Sequence, residues 1–175
     1  TGTYTLTAGN ITTMSAGSTD NCSIVTRTVT PNTFNCTNIA IPVNVTVTVT
    51  DAAGNTNTCN TTVTVQDNVL PTAICKNITV QLDETGNATI TAANIDNGSN
   101  DACGIASLVA SKTAFTCADL GANTVTLTVT DTSGNVSSCT ATVTVVDAVV
   151  PTAVCKPATI YLNSAGIATL TTADV

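Results

Sequence analysis

The stretch Thr124 to Asp147, TVTLTVTDTSGNVSSCTATVTVVD, decides the fold, and it occurs twice, first as Asn44 to Asp67, NVTVTVTDAAGNTNTCNTTVTVQD. In each copy Val or Leu alternates with Thr, the period-2 pattern of a half-buried strand. Asp-x-x-Gly-Asn then reverses the chain and a second alternating run follows. The unit reads as a long antiparallel hairpin with one apolar face and one threonine face.

Working outward, the spacing of landmarks exposes a period. Asp51 and Asp131, Cys59 and Cys139, Asp67 and Asp147, Pro71 and Pro151, and Cys75 and Cys155 are each 80 apart. Cys22 and Cys103, and Cys36 and Cys117, are 81 apart, which places a one-residue insertion near Ile41-Pro42. TLTAGNI at Thr5 to Ile11 lines up with TITAANI at Thr89 to Ile95, and ATLTTADV at Ala168 to Val175 with ATITAANI. Three copies of an 80-residue module are therefore sampled: residues 1–67 without an opening strand, residues 68–147 complete, and residues 148–175 holding the first two strands of a third. In the complete copy, strands are expected at about Ile78 to Leu82, Ala88 to Thr91 and Ile105 to Ala110, ahead of the hairpin. Asn10 to Asp20 and its counterpart before Ile105 read as loops. Seven or so short strands and nothing helical specify an all-β fold, a tandem array of antiparallel sandwiches of the immunoglobulin-like kind. The connector around Pro71 is short and has no Gly/Ser-rich spacer, so the modules follow one another as a stiff rod.

Composition narrows the function. Lys and Arg total 4 against 11 acidic residues, a net charge of -7. No phosphate-neutralising surface can be assembled from that set, which argues against nucleic acid as a partner. The same balance repels anionic lipid, and no apolar run approaches the roughly 18 residues of a membrane span. A hydrophobic share of 43% fills a core, but with 2% aromatics and no Trp that core is aliphatic and thin. Thr supplies 40 of the 175 residues, which suits exposed strand faces.

Eight cysteines without a histidine imply an oxidising compartment, because zinc would want Cys-x-x-Cys pairs or His. The complete module holds Cys75, Cys103, Cys117 and Cys139. With first and last strands parallel, Cys75 and Cys139 fall at one end of the module and are expected to pair. Cys103 and Cys117 then close the segment between them, and Cys22 and Cys36 do the same in the first copy. Cys59 and Cys155 are left with partners outside these residues. A rival scheme, Cys59 with Cys75 and Cys139 with Cys155, uses strand ends that a seven-residue strand holds roughly 20 Å or more apart.

Catalysis has little to work with. There is no His, the cysteines are expected in disulfides, and Ser and Thr have no base to activate them. Asp83 and Glu84 point apart in a turn, so an enzyme is not expected. Oxygen ligands for calcium are available at Asp67 and Asp147 at the module ends and at Asp96 and Asp101 in a loop, with Asp51 and Asp131 in the hairpin turns. The simpler reading of these carboxylates is that they cap turns, accepting backbone N–H groups.

Taken together, TVTDTSGNVSSCTATVTVVD followed by PTAVCK, the ACG loop and the FTCADLG segment resemble the HYR-type immunoglobulin-like repeats of bacterial surface proteins. The resemblance spans the whole chain and is strongest to the giant SprB-type adhesins of gliding Bacteroidota. It implies export by the type IX secretion route and display as a long extracellular, cell-surface filament serving adhesion and gliding motility. Its partners would be neighbouring repeats of the same chain and an extracellular surface or polysaccharide. The chain departs from the usual pattern by lacking a cysteine and a tryptophan around the second strand, with Cys117 taking the bridge to Cys103 instead. As a stalk segment it would be structural; the alternative is a calcium- or glycan-binding module acting as the adhesive tip.

Overall fold

The computed structural model describes residues 2–169. Strand accounts for 44% of the chain and helix for 10%, so the fold is mostly β, arranged as several sheets. In the first copy the elements are β1 (Thr3–Thr5), helix α1 (Ala8–Met14), β2 (Ile24–Thr30), β3 (Thr33–Asn35), β4 (Val43–Asp51) and β5 (Thr56–Val63). The second copy repeats the order as β6 (Ile78–Gln81), β7 (Asn87–Thr89), α2 (Ala92–Ile95), β8 (Ile105–Ala110), β9 (Ala114–Thr116), β10 (Gly121–Asp131) and β11 (Val136–Val146).

The two quoted stretches are the hairpins β4–β5 and β10–β11. In β10 and β11, Val125, Leu127, Val129, Ala141, Val143 and Val145 are buried, while the intervening threonines face outward. Each such Val or Leu contributes about 1.5–3 kcal/mol on burial. β11 also pairs with β6, in parallel, with Val143 opposite Ile78 and Val145 opposite Val80. β10 pairs with β8, which completes a four-stranded sheet in the order β6-β11-β10-β8. The facing sheet is small, β7 against β9. Phe115 of β9 joins Leu82, Ile90 and Ile95 in one core with the apolar face of β10 and β11.

The first copy builds β2-β4-β5 and β1-β3 by the same rules but has no counterpart of β6. Its core shrinks to Val29, Phe34, Val45 and Val47, and the outer edge of β5 is bare, with every residue from Thr56 to Thr62 exposed. The first strand expected in the third copy is not formed. Residues 148–162 have no regular structure. The remainder of the second strand expected there lies outside the described residues.

Two expectations are corrected. The segments that begin Thr-Ala-x-Asn, at Thr7 and Thr91, are short helices, where loop or strand was expected. Thr7 starts α1 by a reciprocal cap, its Oγ1 accepting the Asn10 N–H at 3.3 Å while Asn10 Oδ1 accepts the Thr7 N–H at 2.9 Å. Asn94 Oδ1 accepts the Thr91 N–H at 2.7 Å in the same way. Asn does here what Glu or Gln does in the common capping box.

The second correction concerns the disulfides. Cys75 is joined to Cys139, with Cα atoms 5.8 Å apart, and the parallel β6/β11 pair is what brings them together. Cys103 is not joined to Cys117, nor Cys22 to Cys36. Instead Cys36 of the first copy is bonded to Cys103 of the second, with Cα atoms 5.4 Å apart. Cys22, Cys59, Cys117 and Cys155 are free and exposed. The reason is positional. The short 3-10 turn Cys36–Asn38 after β3 lies at the end of the first copy that meets the loop before β8, whereas the 13 residues between Cys103 and Cys117 are spent on β8, β9 and the turn joining them.

Candidate functional site

Side chains from distant parts of the sequence converge at the junction between the first and second copies. The connector runs from Asp67 to Lys76 and is sewn to the second copy by its backbone. Thr72 and Asn100 exchange both of their hydrogen bonds, at 2.8 and 3.0 Å. Asn97 N–H donates to Ile74 O at 2.8 Å and Lys76 N–H to Ile95 O at 2.9 Å. Pro71 has no N–H to lose, and its carbonyl accepts from Ser137 Oγ at 2.5 Å.

The hairpin turn Asp131 to Asn135 closes this joint from the other side. Inside the turn, Asp131 Oδ1 accepts the N–H groups of Ser133 and Asn135, both at 2.8 Å. The Asn135 side-chain amide donates to Asp131 Oδ2 at 2.8 Å and reaches outward to the carbonyls of Asp67 and Val69, both at 3.1 Å. Ser133 Oγ donates to Asp67 Oδ2 at 3.1 Å. Asp131 is 1% exposed. Burial by itself pushes its carboxyl up, but the Asn135 amide and the N–H groups of Asn135, Ser133 and Gly134 outweigh it and hold the group below the usual carboxylate range. Asp51, at the same position in the first copy, is held low chiefly by the Asn55 amide. The sequence marks Asp-x-x-Gly-Asn as a turn, but nothing in it marks Asn135 as the clasp on the preceding connector. The one available signal is that the motif recurs at the same distance from the connector Asp in both copies.

Beside this clasp the Cys36–Cys103 bridge forms one wall of a cleft of about 360 Å³, also lined by Tyr4, Asp67 and Val69. Gly2, at φ +56°, lies against the bridge, and a Cβ there would sit 2.5 Å from Cys36 Sγ. Of the acidic calcium candidates, Asp67 and Asp101 are brought together, with the Cys103 sulfur, within 4.8 Å of one another. That sulfur is in a disulfide and supplies no thiolate. The two carboxylates also have turn-capping partners: Asp67 Oδ1 accepts Val69 N–H at 3.0 Å and Asp101 Oδ1 accepts Cys103 N–H at 2.7 Å. Asp96 and Asp147 do not belong to this group. Asp96 accepts the N–H groups of Gly98 and Ser99, and Asp147 that of Val149 at 2.9 Å.

The arrangement sets a covalent bridge beside a hydrogen-bonded clasp at one joint. No model of a known protein family and no curated protein matches this chain. Among the described residues, no helix is long and apolar enough to cross a membrane.

Proposed function

We propose that the chain is a length of structural stalk made of immunoglobulin-like repeats, bounded at residues 1–67, 68–147 and 148–175, in an extracellular adhesin filament on a cell surface. The observation that carries this reading is the Cys36–Cys103 bridge between successive copies. Disulfides persist outside the reducing cytosol, and a bridge placed across a joint, with Asn135 clasping the connector beside it, suits a part that must hold length and direction. Surface adhesion and gliding motility follow from the resemblance to the SprB-type adhesins and are proposed on that ground. A stalk has no adhesive work of its own. The isolated, oxidised chain should show no retention on polysaccharide-coated surfaces, while small-angle scattering should return one elongated shape that broadens on reduction. Specific, saturable retention would overturn the stalk assignment.

The cleft beside Tyr4 favours the second reading, a calcium- or glycan-binding tip. It is tested by adding millimolar calcium and then chelator: as turn caps, the carboxylates at Asp67 and Asp101 should leave the melting temperature unchanged. A rise of several degrees with calcium would make them ligands.

A further inference from the structure

Of the asparagines in the chain, Asn97 alone precedes a glycine. Elsewhere the following residue carries a Cβ that crowds its own backbone nitrogen. At Gly98 there is none, and no atom lies within 4 Å of the position a Cβ would take. Gly98 also holds φ at +87°, a conformation that strains any other residue. Both residues are exposed, in the loop between α2 and β8. Neighbouring asparagine side chains are held: Asn94 Oδ1 caps α2, and the Asn100 amide donates to Gly98 O at 3.2 Å. Among the described residues, Asn97 enters the joint through its backbone alone, so its carboxamide is free to turn toward the Gly98 nitrogen.

The backbone on either side of that carboxamide is stitched to the connector. Before it, Lys76 N–H donates to Ile95 O at 2.9 Å and Asn97 N–H to Ile74 O at 2.8 Å. After it, Ile74 N–H donates to Ser99 Oγ at 2.9 Å, and Thr72 and Asn100 exchange bonds at 2.8 and 3.0 Å. Any change in the length of main chain at residue 97 therefore acts on the connector.

We propose that Asn97–Gly98 is a site of spontaneous modification, at which Asn97 converts to isoaspartate and thereby frees the connector from the second copy. The Gly98 nitrogen gives up its proton to solvent by way of Asp96 Oδ2, which accepts that N–H at 3.2 Å. The nitrogen then attacks Cγ of Asn97. A new N–Cγ bond forms, the Cγ–Nδ2 bond breaks, and ammonia leaves with a proton, closing a succinimide ring. Water opens the ring at either carbonyl. Opening at Cγ gives aspartate; opening at the main-chain carbonyl gives isoaspartate, in which the chain reaches Gly98 through Cβ and Cγ. One water is consumed and one ammonia released, with no oxidant or reductant.

Isoaspartate lengthens the main chain by one carbon–carbon bond, about 1.5 Å. An N–H···O bond spans only about 2.7–3.2 Å before it weakens, so the two sets of bonds cannot both be kept. The set before residue 97 stays anchored by α2, and the set at Ser99 and Asn100 loses register. Aspartate leaves the main chain ordinary and keeps both. The Cys36–Cys103 bridge and the Asn135 clasp do not involve residues 97–100, so the connector loosens while the joint stays covalently closed. The site acts as a clock, older chains carrying the looser connector. The conversion does not depend on the stalk role, and retention on polysaccharide has no bearing on it.

The test ages the oxidised chain for weeks at neutral pH and physiological temperature. Peptide mapping by mass spectrometry should show NH2 replaced by OH at residue 97, with an isoaspartyl methyltransferase labelling the same peptide, and no other asparagine converted to a comparable extent. In the isoaspartate fraction, amide exchange should be on the order of tenfold faster at Thr72, Ile74 and Asn100, whose bonds are lost, and unchanged at Lys76. Asn97→Gln, which would have to close a larger ring, should pass through the same ageing unmodified and with exchange unaltered. Fresh Asn97→Asp carries the charge without the extra bond and should exchange like fresh wild type. An intact Asn97 after ageing, unaltered exchange in chains that carry isoaspartate, or the same acceleration in fresh Asn97→Asp would each overturn the proposal.

Discussion

Ala40 holds φ at +58°, and its counterpart in the second copy is Gly121, at +98°. The left-handed region brings a Cβ close to the following carbonyl at a cost of about 1–2 kcal/mol, partly offset by the freedom a glycine loses on folding. Ala40→Gly is therefore expected to stabilise the first copy by on the order of 0.5–1 kcal/mol. It should raise the urea midpoint without changing the slope; a lower midpoint would mean the Ala40 methyl is needed for packing. The carboxylates set the acid limit. Asp51, Asp83, Asp96, Asp119 and Asp131 are all held low, with Asn55, Thr85, Ser99 and Lys112 the leading partners of the first four. A depressed folded value means that the unfolded chain binds protons first as pH falls, from about 3.9 downward. Stability should thus be flat near neutrality and drop as pH passes below about 4 toward the folded values. Asp131→Asn should make that drop shallower by one proton; an unchanged slope would show that Asp131 is not among the groups responsible.

Among the elements, the same segment is buried in one copy and bare in another, which gives an internal control. Leu82 is 2% exposed and Leu162 is 70% exposed. Leu82→Ala should cost about 2–5 kcal/mol, the usual range for a buried leucine, while Leu162→Ala in the monomer should stay within about 0.5 kcal/mol. Equal losses would mean that residues 154–162 are docked in the monomer. The contrast also explains what was legible in the sequence. Strands such as β10 and β11 announce themselves because alternation is a local property, and the parallel first and last strands expected of an immunoglobulin-like sandwich located Cys75 beside Cys139. The helices did not, because α1 and α2 are short and their cap uses Asn10 and Asn94 in place of the usual acidic or Gln partner. The Cys36–Cys103 bond was hidden for a different reason. Its partners lie in different repeats, 67 residues apart, and their meeting depends on how one module sits on the next, which no period or propensity encodes. Asn135 was missed on the same ground, as its turn role is local and its grip on the connector is not.

At the scale of the whole molecule, the joint carries two supports in parallel, and their order of loading can be worked out. Tension entering the first copy ahead of Cys36 crosses directly to Cys103, so the 67-residue separation between them is bypassed and the connector with its Asn135 clasp stays slack. Full reduction opens this bridge and Cys75–Cys139 together and should add roughly 250 Å of contour when the chain is stretched from its ends. The two supports separate by substitution. In the intact chain Asn135→Ala should leave the unfolding force unchanged, because the clasp bears no load, even though equilibrium stability falls by about 1–3 kcal/mol from the lost hydrogen bonds. In a Cys36→Ser background the bypass is gone, and tension must run through the connector to Cys75 and across to Cys139. Nearly as much contour remains hidden, since that pair spans a separation of 64, but the clasp is now in the load path. There Asn135→Ala should lower the unfolding force. If the substitution weakened both backgrounds alike in single-molecule stretching, the connector would be loaded despite the bridge, and the assignment of Cys36–Cys103 as the primary tension path would fail.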